Sequence, residues 1–413
     1  MNMWSRPEET FRVDPGDFVF RPRAVHEFSR FDDQNLSEAS SARQGFPQNK
    51  NLHGVSSQAE LRFPGFQDSF EVSQSLVTME DDPKMTTVLP PSLASMVMRY
   101  GFVYLMTKDQ IGSRVLQKLA DQGAFLDCHV IFLEIIDHVT ELSKDPFGNY
   151  FVQKILQVCD EDLRTLIVRV LTLKPVEFIK ICLNTYGTRV IQKWIETMKT
   201  RQQIALVKSG LKPGFLPLDK DLNGSHVIRS CLQFLGPNDN KFVLEAATKY
   251  CTEIAPLLHG CCVLQCCLSN SVGPQRERLI AEISRDLLHL SQDQFGNYVV
   301  QCLIEQQDSP VKLLDQFKTH YVELATQKFS SHVIEKCLTK YPESRAEIVN
   351  ELLSFPNFED LLQDPYGNYV IQKALSVTKG AVRARLVEKV NRFGRLKSSP
   401  YCKKIFSKNI FKK

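Results

Sequence analysis

Pairs of aliphatic residues recur along the chain at a regular interval, each inside the same short phrase. The phrase reads GSRVLQ from Gly112, GNYFVQ from Gly148, GTRVIQ from Gly187, GSHVIR from Gly224, GCCVLQ from Gly260, GNYVVQ from Gly296, SSHVIE from Ser330 and GNYVIQ from Gly367. Counted from that first residue, positions +3 and +4 are almost always aliphatic, as in Val115 and Leu116, Val190 and Ile191, Val299 and Val300, Val370 and Ile371. Position +8 is Leu156, Ile195, Leu232, Leu268, Ile304, Leu338 or Leu375. At about 100° per residue these sites form one apolar stripe on a helix. The anchors lie 34 to 39 residues apart. A period of that length marks a supersecondary unit that cannot bury its apolar face alone and must stack on its neighbours.

A second, polar stripe is predicted on the opposite side. Positions +1 and +5 lie one turn apart there, with +2 beside them. The triplets are Ser113, Arg114, Gln117; Asn149, Tyr150, Gln153; Thr188, Arg189, Gln192; and Ser225, His226, Arg229. The last four repeats carry Cys261, Cys262, Gln265; Asn297, Tyr298, Gln301; Ser331, His332, Glu335; and Asn368, Tyr369, Gln372. Two edge-reading side chains and one flat, stackable side chain per helix suit a nucleic-acid base.

In the third repeat, KPVEFIKICLNT predicts one amphipathic helix entered through Pro175, GTRVIQKWIETM the next, and RQQIALVKSGL a shorter third, broken at Lys212-Pro213-Gly214. Three helices per unit make an all-α, curved superhelix with the anchor helices on its concave wall. The array predicts one elongated domain over residues 86–413. Residues 1–85 hold 9 basic and 14 acidic residues without sustained periodicity, so this segment is expected to form a disordered tail. Phe18, Phe20, Phe63 and Phe66 are scattered in it.

Composition narrows the chemistry. Of 413 residues 43% are apolar, enough for a large core, and the net charge is +4. The run from Lys389 to Lys413 holds nine Lys or Arg and no acid, while 86–388 balances at 33 against 33. Nucleic-acid binding therefore cannot rest on net charge and needs basic residues gathered on one face. The twelve cysteines recur in the repeat register, with Cys231, Cys267 and Cys337 at +7 and Cys266 and Cys302 at +6, as expected in a reducing compartment. Cys261, Cys262, Cys266 and Cys267 run around one helix, which is not zinc-site spacing, and no cofactor or metal is expected. No membrane span or secretory leader is expected either. No nucleophile–base–orienter spacing or phosphate-cradling loop occurs, which argues against an enzyme.

The phrases DPFGNYFVQK, DQFGNYVVQC and DPYGNYVIQK, in an eight-fold array with atypical ends, resemble the Pumilio (PUF) family of single-stranded RNA-binding proteins. The similarity runs from about Pro91 to Lys408, with capping half-repeats before Thr107 and, as RFGRLKSSPYCKKIF, after Val390. It implies a right-handed α-α superhelix of eight three-helix Pumilio repeats, one base per repeat, and RNA whose 5′ end lies on the last repeat. Asn with Gln, under a stacking Tyr, suits the acceptor–donor–acceptor edge of uracil. Glu335 can accept from both donors of guanine. Ser or Thr with Gln is similar to the family's adenine readers, with Arg114 and Arg189 as stacking planes.

Two repeats depart from the pattern. Cys262 offers no flat face, so the fifth repeat should contribute less. Arg229 only donates, and it suits cytosine or swings to a phosphate. Ser330 in place of the anchor glycine puts the local turn of the seventh repeat in question. From the last repeat to the first, the array spells 5′-UGUA-[C/N]-AUA-3′. The resemblance implies a monomer that binds messenger RNA 3′ untranslated regions and recruits decay or translation-repression factors, in the cytoplasm or, with ribosomal RNA as target, in the nucleus. The competing expectation is a helical scaffold that binds proteins in its groove.

Overall fold

The computed structural model describes residues 102–121, 131–307 and 311–407. The expected tail 1–85 and the first capping segment up to 101 lie outside them. Among the described residues every regular element is a helix. The chain forms two units, 1–116 and 117–413. In the first, the helix Phe102–Lys108 buries Val103 and Met106. The Asp109 carboxylate then accepts from the amides of Ile111 and Gly112 (3.0 and 2.8 Å), at the start of α1 (Gln110–Asp121).

In the second unit the seven further anchor phrases each lie in a helix: α2 (Gly148–Val158), α3 (Gly187–Thr197), α4 (Leu222–Phe234), α5 (Leu258–Asn270), α6 (Gly296–Gln306), α7 (Ser330–Lys340) and α8 (Gly367–Val377). From α2 to α8 each packs on the next. Outer helices stack in the same order, Glu161–Thr172 on Arg201–Leu211 and Arg345–Ser354 on Gly380–Asn391. The third repeat divides as its pattern predicts, into Pro175–Leu183, α3 and Arg201–Leu211, closed by a 3₁₀ turn at Lys212–Gly214.

The apolar stripe is the core. At +3, +4 and +8, from Phe151 to Leu375, no side chain of α2 to α8 is more than 2% exposed. Each large aliphatic buried this way stabilises by about 1.5–3 kcal/mol, more than a net hydrogen bond at about 1 kcal/mol. Stacking therefore rests on the stripe, and the polar face is left for other work.

Glycine at the anchor answers a close approach. A Cβ on Gly224 would come within 2.5 Å of the Leu218 carbonyl oxygen, and on Gly296 within 2.8 Å of that of Leu290. Ser330 solves the same contact differently: its buried hydroxyl donates to the Leu324 carbonyl at 2.8 Å, and α7 starts in register. The turn questioned at this position is thus preserved. Past the last repeat, Cys402 and Ile405 are buried, and the Cys402 thiol donates to the Leu362 carbonyl at 3.2 Å. The segment after Val390 caps the stack.

Candidate functional site

Six of the eight anchor helices start from a turn fixed by an Asp or Asn side chain. The carboxylate of Asp145 accepts from the amides of Phe147 and Gly148 (2.9 and 2.8 Å), and Asp293 and Asp364 do the same for α6 and α8. Asn184 and Asp221 serve α3 and α4. The fifth and seventh repeats carry Leu257 and Gln327 there instead.

On this frame the triplets do not form the flat polar stripe expected from the helical period. Position +1 is buried in every repeat: Ser113, Asn149, Thr188, Ser225, Cys261, Asn297, Ser331 and Asn368 are at most 3% exposed. From α2 to α8 it lies in the seam between stacked helices. The Thr188 hydroxyl, for example, donates to the Asn223 carbonyl of the next repeat at 2.9 Å. Position +2 faces outward, with Tyr150 53% and Tyr369 49% exposed, Arg114 and Arg189 exposed, and Tyr298, His226, Cys262 and His332 half-buried. At +5, Gln117, Gln153, Gln192, Arg229, Gln301, Glu335 and Gln372 are half-buried, whereas Gln265 is only 6% exposed.

Three repeats share a clamp. The Asn149 amide donates both hydrogens to the carbonyls of Asp145 and Pro146 (2.8 and 3.0 Å), and its Oδ1 accepts from Gln153 Nε2 at 3.0 Å. Asn297 and Gln301, and Asn368 and Gln372, repeat this at 2.8–3.1 Å. The Asn donors expected to face a base are therefore spent on the backbone; Asn fixes Gln, and Gln presents its Oε1 and second hydrogen. In α3 the Thr188 hydroxyl takes the place of Asn Oδ1 and accepts from Gln192 Nε2 at 3.0 Å.

The irregular triplets differ in charge as well. Burial pushes the Glu335 carboxyl above its usual range, with the Lys373 charge opposing, and burial holds the His332 imidazole below its own. His332, 3.9 Å from Glu335, is thus a neutral partner near neutral pH. In α4 the Arg229 guanidinium reaches His226 Nδ1 at 3.0 Å, and its buried Nε has no hydrogen-bond partner. In α5 the Cys261 thiol donates to the Leu258 carbonyl at 3.2 Å. The eleven described cysteines are all free thiols.

Two recurring devices escaped the sequence analysis. Lysine stands at +6 as Lys118, Lys154, Lys193, Lys336 and Lys373, so part of the basic charge follows the anchor helices. Lys154 pairs with Asp121 at 3.0 Å, and Lys336 with Glu305. Arginine past the helix end ties off its carbonyls: Arg164 donates to Leu156 and Cys159 (2.8 and 3.0 Å), Arg345 to Leu338, Thr339 and Val377, and Arg276 and Arg383 reach Leu268 and Leu375. All four tie to the +8 carbonyl, a register visible in the sequence once the period is known.

Comparison with known proteins follows the same periodicity. A family model described as Pumilio-family RNA binding repeat matches eight segments, 102–136, 138–172, 177–208, 220–246, 258–284, 286–312, 320–353 and 357–390. The chain is 60% identical to putative pumilio homolog 10 of Arabidopsis thaliana, with 100% of this chain and 89% of the relative covered. It is 58% identical to pumilio homolog 9 of the same plant, over 100% and 90%. Among solved structures, the Puf4 RNA binding domain bound to an HO endonuclease RNA 3′ UTR recognition sequence aligns at a TM-score of 0.68 and 36% identity, covering 73% of this chain and 96% of that one. Among the described residues no helix is long and apolar enough to cross a membrane, and no group of three or more metal-ligating side chains is found.

Proposed function

This chain belongs to the Pumilio family of RNA-binding repeat proteins, and we propose that it reads 5′-UGUA-[C/N]-AUA-3′ through one +1/+2/+5 triplet per repeat. The observation that carries this reading is the Asn–Gln clamp. Three separate repeats hold a glutamine in one orientation, under an outward tyrosine, by the same three hydrogen bonds. A fixed amide reads an edge at little entropic cost. Gln Oε1 accepts from uracil N3–H, and its second hydrogen donates to a uracil carbonyl. Where Thr or Ser replaces Asn, the glutamine is drawn toward a shorter partner, which leaves depth for adenine.

Glu335 accepts from N1–H and the exocyclic amine of guanine as the carboxylate. Arg229 donates to cytosine at the fifth base. Gln265, nearly enclosed, contributes least. The Puf4 domain above is bound to a 3′ UTR sequence. On that likeness we assign this chain to messenger RNA 3′ untranslated regions in the cytoplasm, controlling translation and decay through recruited factors.

The test is a titration of the full chain with 5′-UGUACAUA-3′ and with the same bases scrambled, at fixed salt. Tight binding of the first and at least about a thousandfold weaker binding of the second is expected, the spread that specific and non-specific complexes show. Equal affinities would sink the proposal.

A further inference from the structure

The three clamps stand on one kind of turn. Asp145, Asp293 and Asp364 each lie three residues before an anchor glycine and four before the asparagine of an Asn–Gln pair. In α6 the Asp293 carboxylate accepts from the amides of Phe295 and Gly296 at 2.8 and 2.7 Å. That fixes the turn whose two carbonyls, of Asp293 and Gln294, each receive the Asn297 carboxamide at 2.9 Å. Asn297 Oδ1 then holds Gln301 Nε2 at 2.9 Å. Asn297, in the middle of this chain, is 2% exposed, so little water competes for its bonds.

The chain settles which end of the glutamine amide faces outward. With Nε2 turned toward Asn297, Oε1 is left as an acceptor, which suits the N3–H of uracil and opposes the bare N3 of cytosine. A freed amide can turn over and offer both hydrogens to the N3 and O2 of cytosine. Where the aspartate is missing, the clamp is missing too. Leu257 and Gln327 stand in its place before α5 and α7, whose +1 residues are Cys261 and Ser331. Both helices still form, so the aspartate is not what makes an anchor helix. The third repeat has the cap without the coupling. Asn184 Oδ1 accepts from the amides of Tyr186 and Gly187 at 3.0 and 2.9 Å, yet the Thr188 hydroxyl donates to Asn223 of the next repeat and not to that turn.

We propose that Asp145, Asp293 and Asp364 are positioning residues for uracil selectivity: each fixes the turn that fixes its asparagine, and thereby which end of the glutamine amide meets the base. The effect on selectivity rests on the proposed reading of uracil by Gln153, Gln301 and Gln372; the effect on the amide does not.

Two measurements on the full chain keep these apart. Nitrogen-15 relaxation of the Gln301 side-chain amide reports its order without RNA. Asp293→Ala should make that amide more mobile, and Asp293→Asn, whose side-chain oxygen can cap the turn as Asn184 does, should restore it. An amide as ordered in Asp293→Ala as in the native chain overturns the proposal whether or not RNA binds. Competition between 5′-UGUACAUA-3′ and 5′-UGCACAUA-3′ reads the third base. The native chain and Asp293→Asn should prefer U by about tenfold, and Asp293→Ala by only about two- to threefold. Equal weakening toward both RNAs, with the preference intact, would make the aspartate a helix stabiliser only and overturns the proposal. Asn184→Ala controls for a lost cap. Its preference for A over G at the sixth base should keep the native ratio, and a fall as large as that of Asp293→Ala at the third base overturns the proposal. If the native chain does not bind the first RNA while Asp293→Ala still frees the amide, the base assignment falls and the positioning of Gln301 stands.

Discussion

The sixth repeat and the fifth are adjacent copies of one unit, yet they arrange the same positions in opposite ways. In α6, Asn297 is anchored to two carbonyls, holds Gln301 half-exposed and sets Tyr298 beside it. In α5 the anchor aspartate is Leu257, the +1 side chain is a thiol tied to its own helix, and Gln265 is nearly enclosed. The residue type at +5 is identical. What differs is whether a polar +1 neighbour lifts it toward solvent, so the three positions are set as a unit rather than as three letters.

The largest expected effect sits beneath the weak repeat. Asp219 stands where the second and sixth repeats have Ser143 and Ser291, whose hydroxyls donate to Val139 and Leu287 at 2.6 and 2.7 Å. Burial raises its carboxyl from 3.8 to about 7, so the folded chain holds this proton more tightly than the unfolded one. Its contribution is fully favourable below about pH 4 and is lost as pH rises through about 7. The full shift corresponds to roughly 4 kcal/mol. Asp219→Ser should therefore raise the unfolding midpoint at pH 8 and much less at pH 4. An equal gain at both values would show that the carboxyl does not titrate in the fold.

Next comes transplantation of the clamp. Replacing Ser331, His332 and Glu335 with Asn, Tyr and Gln copies the sixth repeat into the seventh and should invert the second-base preference from G to U, by about tenfold on each side. Competition between 5′-UGUACAUA-3′ and 5′-UUUACAUA-3′ measures it. Continued preference for G would mean that α7 does not face that base.

Stacking separates the two repeats directly. Tyr298→Ala should weaken binding by about tenfold or more, since a lost base–aromatic stack costs about 1–3 kcal/mol, whereas Cys262→Ala should cost well under that. Equal losses in the two variants would erase the contrast. The smallest effect concerns Arg229: RNA with C at the fifth base should bind a few-fold better than RNA with U, A or G, about 1 kcal/mol, and Arg229→Ala should level the four. Four equal affinities in the native chain would leave that base unread.

The sequence exposed the period, the core stripe and the three helices of the third repeat, because each follows from spacing along one helix. It did not expose the depth of +1. Helical periodicity gives a direction around an axis, and Thr188 is buried by a carbonyl of the next repeat, at Asn223, which no single-helix pattern contains. Gln265 differs from Gln153 in depth for the same reason: the letters agree and the neighbours do not. The carboxyl-terminal arginines were missed because they lie outside the anchor phrase, although Arg164, Arg276 and Arg383 share one offset from it.

The seam position also sets the order in which such a protein can change its target over generations. A substitution at +5 alters a half-exposed side chain and leaves the stack intact, so it can arise and be retained singly. A substitution at +1 disturbs a buried contact that orients +5 and, at Thr188, bonds the following repeat. Its harm is felt at once, and its benefit waits on the partner. Drift toward new target sequences should then run through +5 first, with +1 following as a compensating change, and repeats without the clamp, such as the fifth, are those most at liberty to wander.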